Sequence, residues 1–284
     1  MPATLEYLRP TTIDEALAQL RRPGLRTVPL AGGTWLVPRL RRDLDVPDPL
    51  DDPVDAVVDL AGLELNAIEW EGEPGNGWLH MGATVTLQQI AHSPICREVA
   101  GGILAEAAHR EAPINQRNAA TVAGVMLASP SQSELQLELL VLAAHVVIND
   151  GQPRLVPLAE LLADPTGQLT GALVTAVKMP WPAETVRGGL ARVARTPSDY
   201  PIVAAAAAVD GESQRLAIGG VTAAPLLLSL SSGDGLEKAL AAALAGADLL
   251  ADWQGSGEYR HTMGVVLGQR ALAMGVVPQG QAAS

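Results

Sequence analysis

The apolar and polar positions along this chain change period repeatedly, and each change marks an element. Leu5–Leu8 is a short apolar run closed by Pro10. Thr12-Ile13-Asp14-Glu15 places a hydroxyl three residues before a carboxylate, the signature of a helix start. Ala16, Leu17 and Leu20 carry the helical spacing until Pro23-Gly24 stops it. Thr27–Leu30 reads as a strand that runs into two glycines, and Ala56–Leu60 as a short buried strand. Asn66–Glu71 and Trp78–Gly82 read as two strands around the turn sequence Gly75-Asn76-Gly77. Thr84-Val85-Thr86 caps a helix carrying Leu87 and Ile90. One helix is then predicted over Arg97–Glu111, with Val99, Ile103, Leu104 and Ala107 on one face, broken at Ala112-Pro113. Ile114–Val125 reads as a loop of polar, then small residues. The next helix starts at Ser133-Glu134 and runs to about Ala143.

Val146–Asn149 and Leu155–Val156 flank Asp150-Gly151, a hairpin signal. Leu173–Met179 is a strand ended by Pro180-Trp181-Pro182, where a domain boundary is expected. Beyond it, strands are predicted at Leu190–Arg195, Ile202–Val209 and Arg215–Val221, and helices at Leu236–Leu250 and Gly257–Ala273. That is an α+β unit with an antiparallel sheet. The expected organisation is α+β throughout: residues 1–179, then a smaller unit over 180–276, then a disordered tail at 277–284.

Composition narrows the function classes. The 284 residues are 48% apolar and 18% charged, enough to build a substantial core and unlike a disordered chain. A formal charge of −12 leaves no basic surplus for nucleic acid. No run approaches the ~20 apolar residues of a membrane span, and the N-terminal residues lack the apolar stretch of a secretion signal. Cys96 is the one cysteine. It cannot form an intrachain disulfide or hold an iron–sulfur cluster, which fits a cytoplasmic chain. His92 and His109 lie in predicted helices with no partner at metal-ligand spacing, His80 alternates along a predicted strand and is expected to be exposed, and no Ser-His-Asp arrangement is legible, so the sequence offers no hydrolytic chemistry.

The glycine stretch Pro29-Leu30-Ala31-Gly32-Gly33-Thr34-Trp35-Leu36 is the first candidate site. Paired glycines turn backbone N–H groups inward without a Cβ to block an anion. The stretch is neither a Walker loop nor GxGxxG, and a plain tight turn after a core strand is the alternative. Arg39, Arg41 and Arg42 follow it in an acidic chain. Two readings stand for them, a solvated face or a counter-charge near a bound phosphate.

Three motifs together carry a resemblance: Ala31-Gly32-Gly33-Thr34-x-Leu36, Arg117-Asn118-x-Ala120-Thr121-x-x-Gly124, and Arg195-x-x-x-Asp199-Tyr200-Pro201-Ile202-Val203 leading into an alanine run. In this order and spacing the chain resembles the FAD-binding medium subunit of the molybdenum hydroxylases, from Leu5 to about Met274. The resemblance implies a two-lobed FAD-binding domain of the PCMH (vanillyl-alcohol-oxidase-like) type, with lobes at about 1–55 and 56–179, followed by that family's α+β C-terminal domain. It implies noncovalent FAD, with its pyrophosphate wrapped by Ala31–Thr34. Thr121, Ala123, Gly124, Val125, Ala128 and Glu134 would complete the pyrophosphate and ribose site, and Asp199 and Tyr200 would lie on the flavin side. It also implies an iron–sulfur small subunit holding two [2Fe–2S] clusters and a large subunit holding the molybdenum cofactor, assembled as a dimer of heterotrimers. Electrons would pass through the flavin to NAD, a quinone or oxygen.

The sequence departs from that pattern at the second loop. Ala123 and Val125 stand where glycine and asparagine are usual, Ala128 where a hydrogen-bonding side chain is usual, and Glu134 where aspartate is usual. Trp35 replaces a small polar or acidic residue. Losing two hydrogen bonds of ~1 kcal/mol each predicts roughly thirty-fold weaker FAD binding. A structural subunit that has lost its flavin, and a stand-alone flavin oxidase, are the rival readings. The second needs a catalytic base or covalent link that the sequence does not show.

Overall fold

A computed structural model of the chain describes residues 5–40, 53–196, 199–231, 233 and 235–276. Arg41, Arg42, most of the expected loop at 43–55 and the expected tail lie outside the described residues.

The N-terminal part is β1 (Glu6–Leu8), α1 (Ile13–Leu20), β2 (Thr27–Leu30), α2 (Leu36–Leu40) and β3 (Ala56–Asp59). The Thr12 hydroxyl accepts from the Glu15 N–H and sets the start of α1. The three strands form a parallel sheet in the order β1-β3-β2. β3 is its central strand and is buried along its whole length, as expected of a parallel strand covered on both faces. The first lobe therefore does not close at residue 55: its sheet is completed by residues beyond that point.

β4 (Ile68–Glu71) and β5 (Trp78–Gly82) follow as a hairpin. Next come α3 (Leu87–His92), α4 (Pro94–Glu98), α5 (Ile103–Arg110), α6 (Ile114–Arg117), α7 (Val122–Ala128) and α8 (Glu134–Val141). β6 (His145–Asn149), β7 (Pro153–Pro157), α9 (Leu158–Ala163), α10 (Pro165–Leu169) and β8 (Leu173–Pro180) complete an antiparallel five-stranded sheet, β4-β5-β8-β6-β7. The single helix predicted over Arg97–Glu111 is two helices. Ala100 and Gly102 between them take φ of 48° and 91°, which no α-helix accommodates. The loop predicted over Ile114–Val125 is itself two short helices, and Thr121 is the N-cap of the second. Small residues signal close packing as well as loops, and here packing decided.

The last part is β9 (Arg187–Val193), β10 (Val203–Asp210), β11 (Ser213–Gly219), β12 (Leu226–Ser231), α11 (Leu236–Ala243) and α12 (Gly257–Val276). The strands form an antiparallel sheet ordered β12-β11-β10-β9, separate from the sheet containing β8. β12 was not predicted, and α11 ends at Ala243 rather than Leu250. The alanine run of β10 is buried on both faces. Val203, Ala205 and Ala207 pack with Leu267 and Ala271 of α12, while Ala204, Ala206 and Ala208 join the core that holds α5 and α8. Alanines let helices approach from both sides, so this sheet shares its second face with the preceding helices. None of the described helices is long and apolar enough to cross a membrane.

Candidate functional site

The site begins where β2 and β3 end side by side, with Leu30 opposite Asp59. Open parallel sheets place their crevices beyond such carboxyl ends. The chain leaves β2 through Ala31-Gly32-Gly33-Thr34, and Gly33 takes φ of 69°. α2 then starts with the Val37 N–H donating to the Gly33 carbonyl at 2.9 Å. The backbone N–H groups of Gly32, Gly33, Thr34 and Trp35 meet no acceptor among the described residues. Orphan donors gathered in one turn are what an anion requires.

Gly32 has a second task. A Cβ built there would lie 1.8 Å from the Ala119 carbonyl oxygen. The first loop is thus in direct backbone contact with the second, and only glycine permits it.

The second loop is stitched to the segment before α3. Leu87 N–H donates to the Ala120 carbonyl, Val122 N–H to Val85 and Ala123 N–H to Ala83, at 2.9, 2.8 and 3.4 Å. The Thr121 hydroxyl accepts from the Gly124 N–H at 3.3 Å. All three first-turn donors of α7 therefore have acceptors within the protein. The second loop supplies mainly wall and shape; of its cavity-lining backbone, the Thr121 N–H, like those of residues 32–35 in the first loop, meets no acceptor among the described residues.

Together the loops enclose a cavity of about 380 Å³ lined by residues 29–36 and by Thr121, Ala123, Gly124, Val125 and Ala128, within the range of small-molecule sites. Leu60, Leu127, Ser129, Leu169 and residues 172–174 also line it. Leu127 and Ser129 fall within the second loop, expected from Thr121 to Glu134; Leu60, Leu169 and residues 172–174 were not expected. All of these come from the end of β3, the outer side of α7 and the approach to β8, and as ordinary aliphatic or small residues they carry no motif.

Glu134, Asp199 and Tyr200 do not line this cavity. Glu134 is 1% exposed and pairs with Arg192 at 2.7 Å and Arg110 at 3.7 Å. The Asp199 carboxylate accepts from the Thr196 N–H, and its carbonyl accepts from Arg192. The Tyr200 hydroxyl donates to Glu111 at 3.0 Å, and the Leu135 N–H donates to the other Glu111 oxygen. Burial raises the pKa of Glu111 even against these hydrogen bonds, and burial first, then the Glu111 charge, raises that of Tyr200. This network ties the start of α8 to the C-terminal sheet.

Arg39 does not line the cavity. Its guanidinium lies 3.9 Å from the Trp35 ring centroid and donates to the Trp35 carbonyl at 2.9 Å. Elsewhere, Glu69, Glu71 and His80 bring ligand-type atoms within 4.8 Å of one another. The Lys178 ammonium is paired with Glu71 and, by its hydrogen bond, lowers that carboxyl's pKa, so the Glu71 charge is already balanced within the protein; His80, expected to be exposed, is half-buried beside it. Cys96 is buried, and burial pushes its thiol up to about 11, which leaves it unreactive.

Comparison with known proteins places this geometry. Residues 3–182 match the model of the FAD binding domain in molybdopterin dehydrogenase. The chain is 28% identical to the 6-hydroxypseudooxynicotine dehydrogenase complex subunit alpha of Paenarthrobacter nicotinovorans, over 96% of this chain and 94% of that one. It is 27% identical to the uncharacterized protein YgfM of Escherichia coli K12, over 92% and 93%. Among solved structures, a chain of the Cu,Mo-CO dehydrogenase in its cyanide-inactivated form superposes with a TM-score of 0.81 at 25% identity, covering 97% of this chain and 99% of that one.

Proposed function

The chain belongs to the family of FAD-binding domains of molybdopterin dehydrogenases, and from that premise we propose that it is the flavin subunit of a molybdenum hydroxylase complex, binding FAD noncovalently with the pyrophosphate in the 31–34 turn. The observation that carries this is the set of free N–H donors at Gly32, Gly33 and Thr34, at the mouth of a cavity of about 380 Å³. Gly32 and Gly33 orient donors at the phosphates, Gly32 lets the two loops meet, and Leu36, Val125 and Val174 exclude water from the enclosed part. Bound FAD supplies redox chemistry that this chain's side chains lack. The complex's role is then to take electrons from the [2Fe–2S] clusters of a small subunit, reduced by a molybdenum-holding large subunit, and to pass them to an acceptor such as NAD, a quinone or oxygen. The assembly is a dimer of heterotrimers.

One observation favours the alternative, a subunit of the same fold without flavin: the α7 first-turn donors are all taken within the protein. Purification of the co-expressed complex with its visible flavin spectrum, followed by titration of flavin-stripped complex with FAD, separates the two. Stoichiometric flavin released by acid precipitation supports the noncovalent reading. A complex that assembles but neither carries nor takes up FAD establishes the structural subunit. Tightening by Val125→Asn with Ala128→Thr shows that those side chains limit affinity.

A further inference from the structure

Trp35 is an unusual lining residue for a site built from glycines and aliphatic side chains. It follows the free N–H donors directly in the chain and borders the same cavity. One side of its indole is covered by Arg39, whose guanidinium stands 3.9 Å from the ring centroid. Arg39 sits one helical turn on and also donates to the Trp35 carbonyl at 2.9 Å, so backbone and ring are held by one side chain. A ring braced this way has little rotamer freedom left to lose on binding. Leu60, Leu36 and Val174 form nearby apolar walls.

We propose that Trp35 is the stacking platform for the adenine ring of the bound dinucleotide. The inference rests on the FAD reading and assigns it a specific side chain. Chain order supports adenine: the ring stands next to the phosphate donors, and in FAD only a ribose separates adenine from the pyrophosphate, whereas the longer ribityl chain sets the isoalloxazine further off. Aromatic surface binds a base through its π-face, and Arg39, which holds the indole, is not among the cavity-lining residues.

The test uses the flavin-stripped complex and titrates FAD, ADP and FMN into wild type, Trp35→Ala and Trp35→Phe, following binding by calorimetry. Trp35→Ala should weaken FAD and ADP by the same factor, about ten-fold or more. FMN, which lacks adenosine, should bind unchanged. Trp35→Phe should keep most of the affinity, which separates loss of a stacking surface from loss of folding, with thermal denaturation as the check. Unchanged ADP affinity in Trp35→Ala overturns the inference while leaving FAD binding intact. Equal weakening of FMN overturns it in favour of a ring stacked on isoalloxazine. Wild type that binds neither FAD nor ADP overturns the FAD reading itself and this inference with it.

Discussion

Replacing Gly32 by alanine isolates the contact on which the site depends. Gly32 does not need a left-handed backbone, so the cost of a methyl group there is steric. The new Cβ would lie 1.8 Å from the Ala119 oxygen, 2.6 Å from its carbonyl carbon and 3.1 Å from the Ala120 Cα. A carbon–oxygen contact relaxes to about 3.3 Å, so the loops must part by roughly 1.5 Å. Ala119 and Ala120 cannot yield freely. Their N–H groups donate to Gln116 at 3.0 and 2.7 Å, and the Ala120 carbonyl accepts from Leu87 at 2.9 Å. Overpacking costs about 1–3 kcal/mol and a strained hydrogen bond about 1 more, so Gly32→Ala should destabilise by about 3 kcal/mol. Gly24→Ala is the control: φ is +73° with no atom within 4 Å, so only backbone strain of about 1–2 kcal/mol applies. Gly33→Ala lies between, since φ is +69° and the neighbour at 2.9 Å is the movable Val37 side chain. Urea denaturation of the three variants gives the ranking, and FAD titration should show Gly32→Ala losing the most affinity as the donors move off the second loop. Gly32→Ala no less stable than Gly24→Ala would refute the claimed loop contact.

Three further outcomes follow from buried polar groups. Glu138 is fully buried with both carboxylate oxygens lacking a hydrogen bond among the described residues, and burial raises its pKa well above the usual range. The folded state then holds a proton that the unfolded state releases above about pH 4.3, so stability falls as pH rises from there toward the folded pKa, by up to about 1.4 kcal/mol per pH unit. Glu138→Leu should remove that slope, and denaturation midpoints of both proteins at several pH values will show a gap that widens with pH. Arg260 is 1% exposed and donates to the Ile202 and Gly220 carbonyls and to Asp252; Arg260→Met should cost about 2–4 kcal/mol by orphaning those carbonyls, read in thermal or urea unfolding. Arg192→Ala should leave the Glu134 carboxylate buried with only the longer Arg110 contact and cost about 3 kcal/mol, whereas adding Glu134→Gln should recover part of the loss in a double-mutant cycle.

Local rules were enough for much of this protein. The Thr12 cap, the glycine turn after β2, the turn at residues 75–77 and the hairpin at Asp150-Gly151 depend on neighbours in sequence, and hydroxyls, glycines and hydrophobic period specify them directly. The order of three motifs was enough to identify the family, because spacing along a chain survives when individual side chains drift. What tertiary structure decided is of another kind. Ala119 and Ala120 read as loop, but their backbone meets Gly32 across more than eighty residues, and no local pattern encodes that approach. Leu60, Leu169 and Val174 became cavity wall only when β3 and the approach to β8 were brought beside the glycine turn. The alanine run of β10 reads as a buried strand, yet which helix lies on each face follows from packing two layers together. Glu134 pairs with Arg192 and Tyr200 donates to Glu111, because a buried carboxylate is stable only where a partner reaches it, while the exposed Asp199 is held by the Thr196 N–H and, at its carbonyl, by Arg192. Short-range geometry is written residue by residue; which surfaces meet depends on the sum of many weak contacts, and that sum exists only in the folded chain.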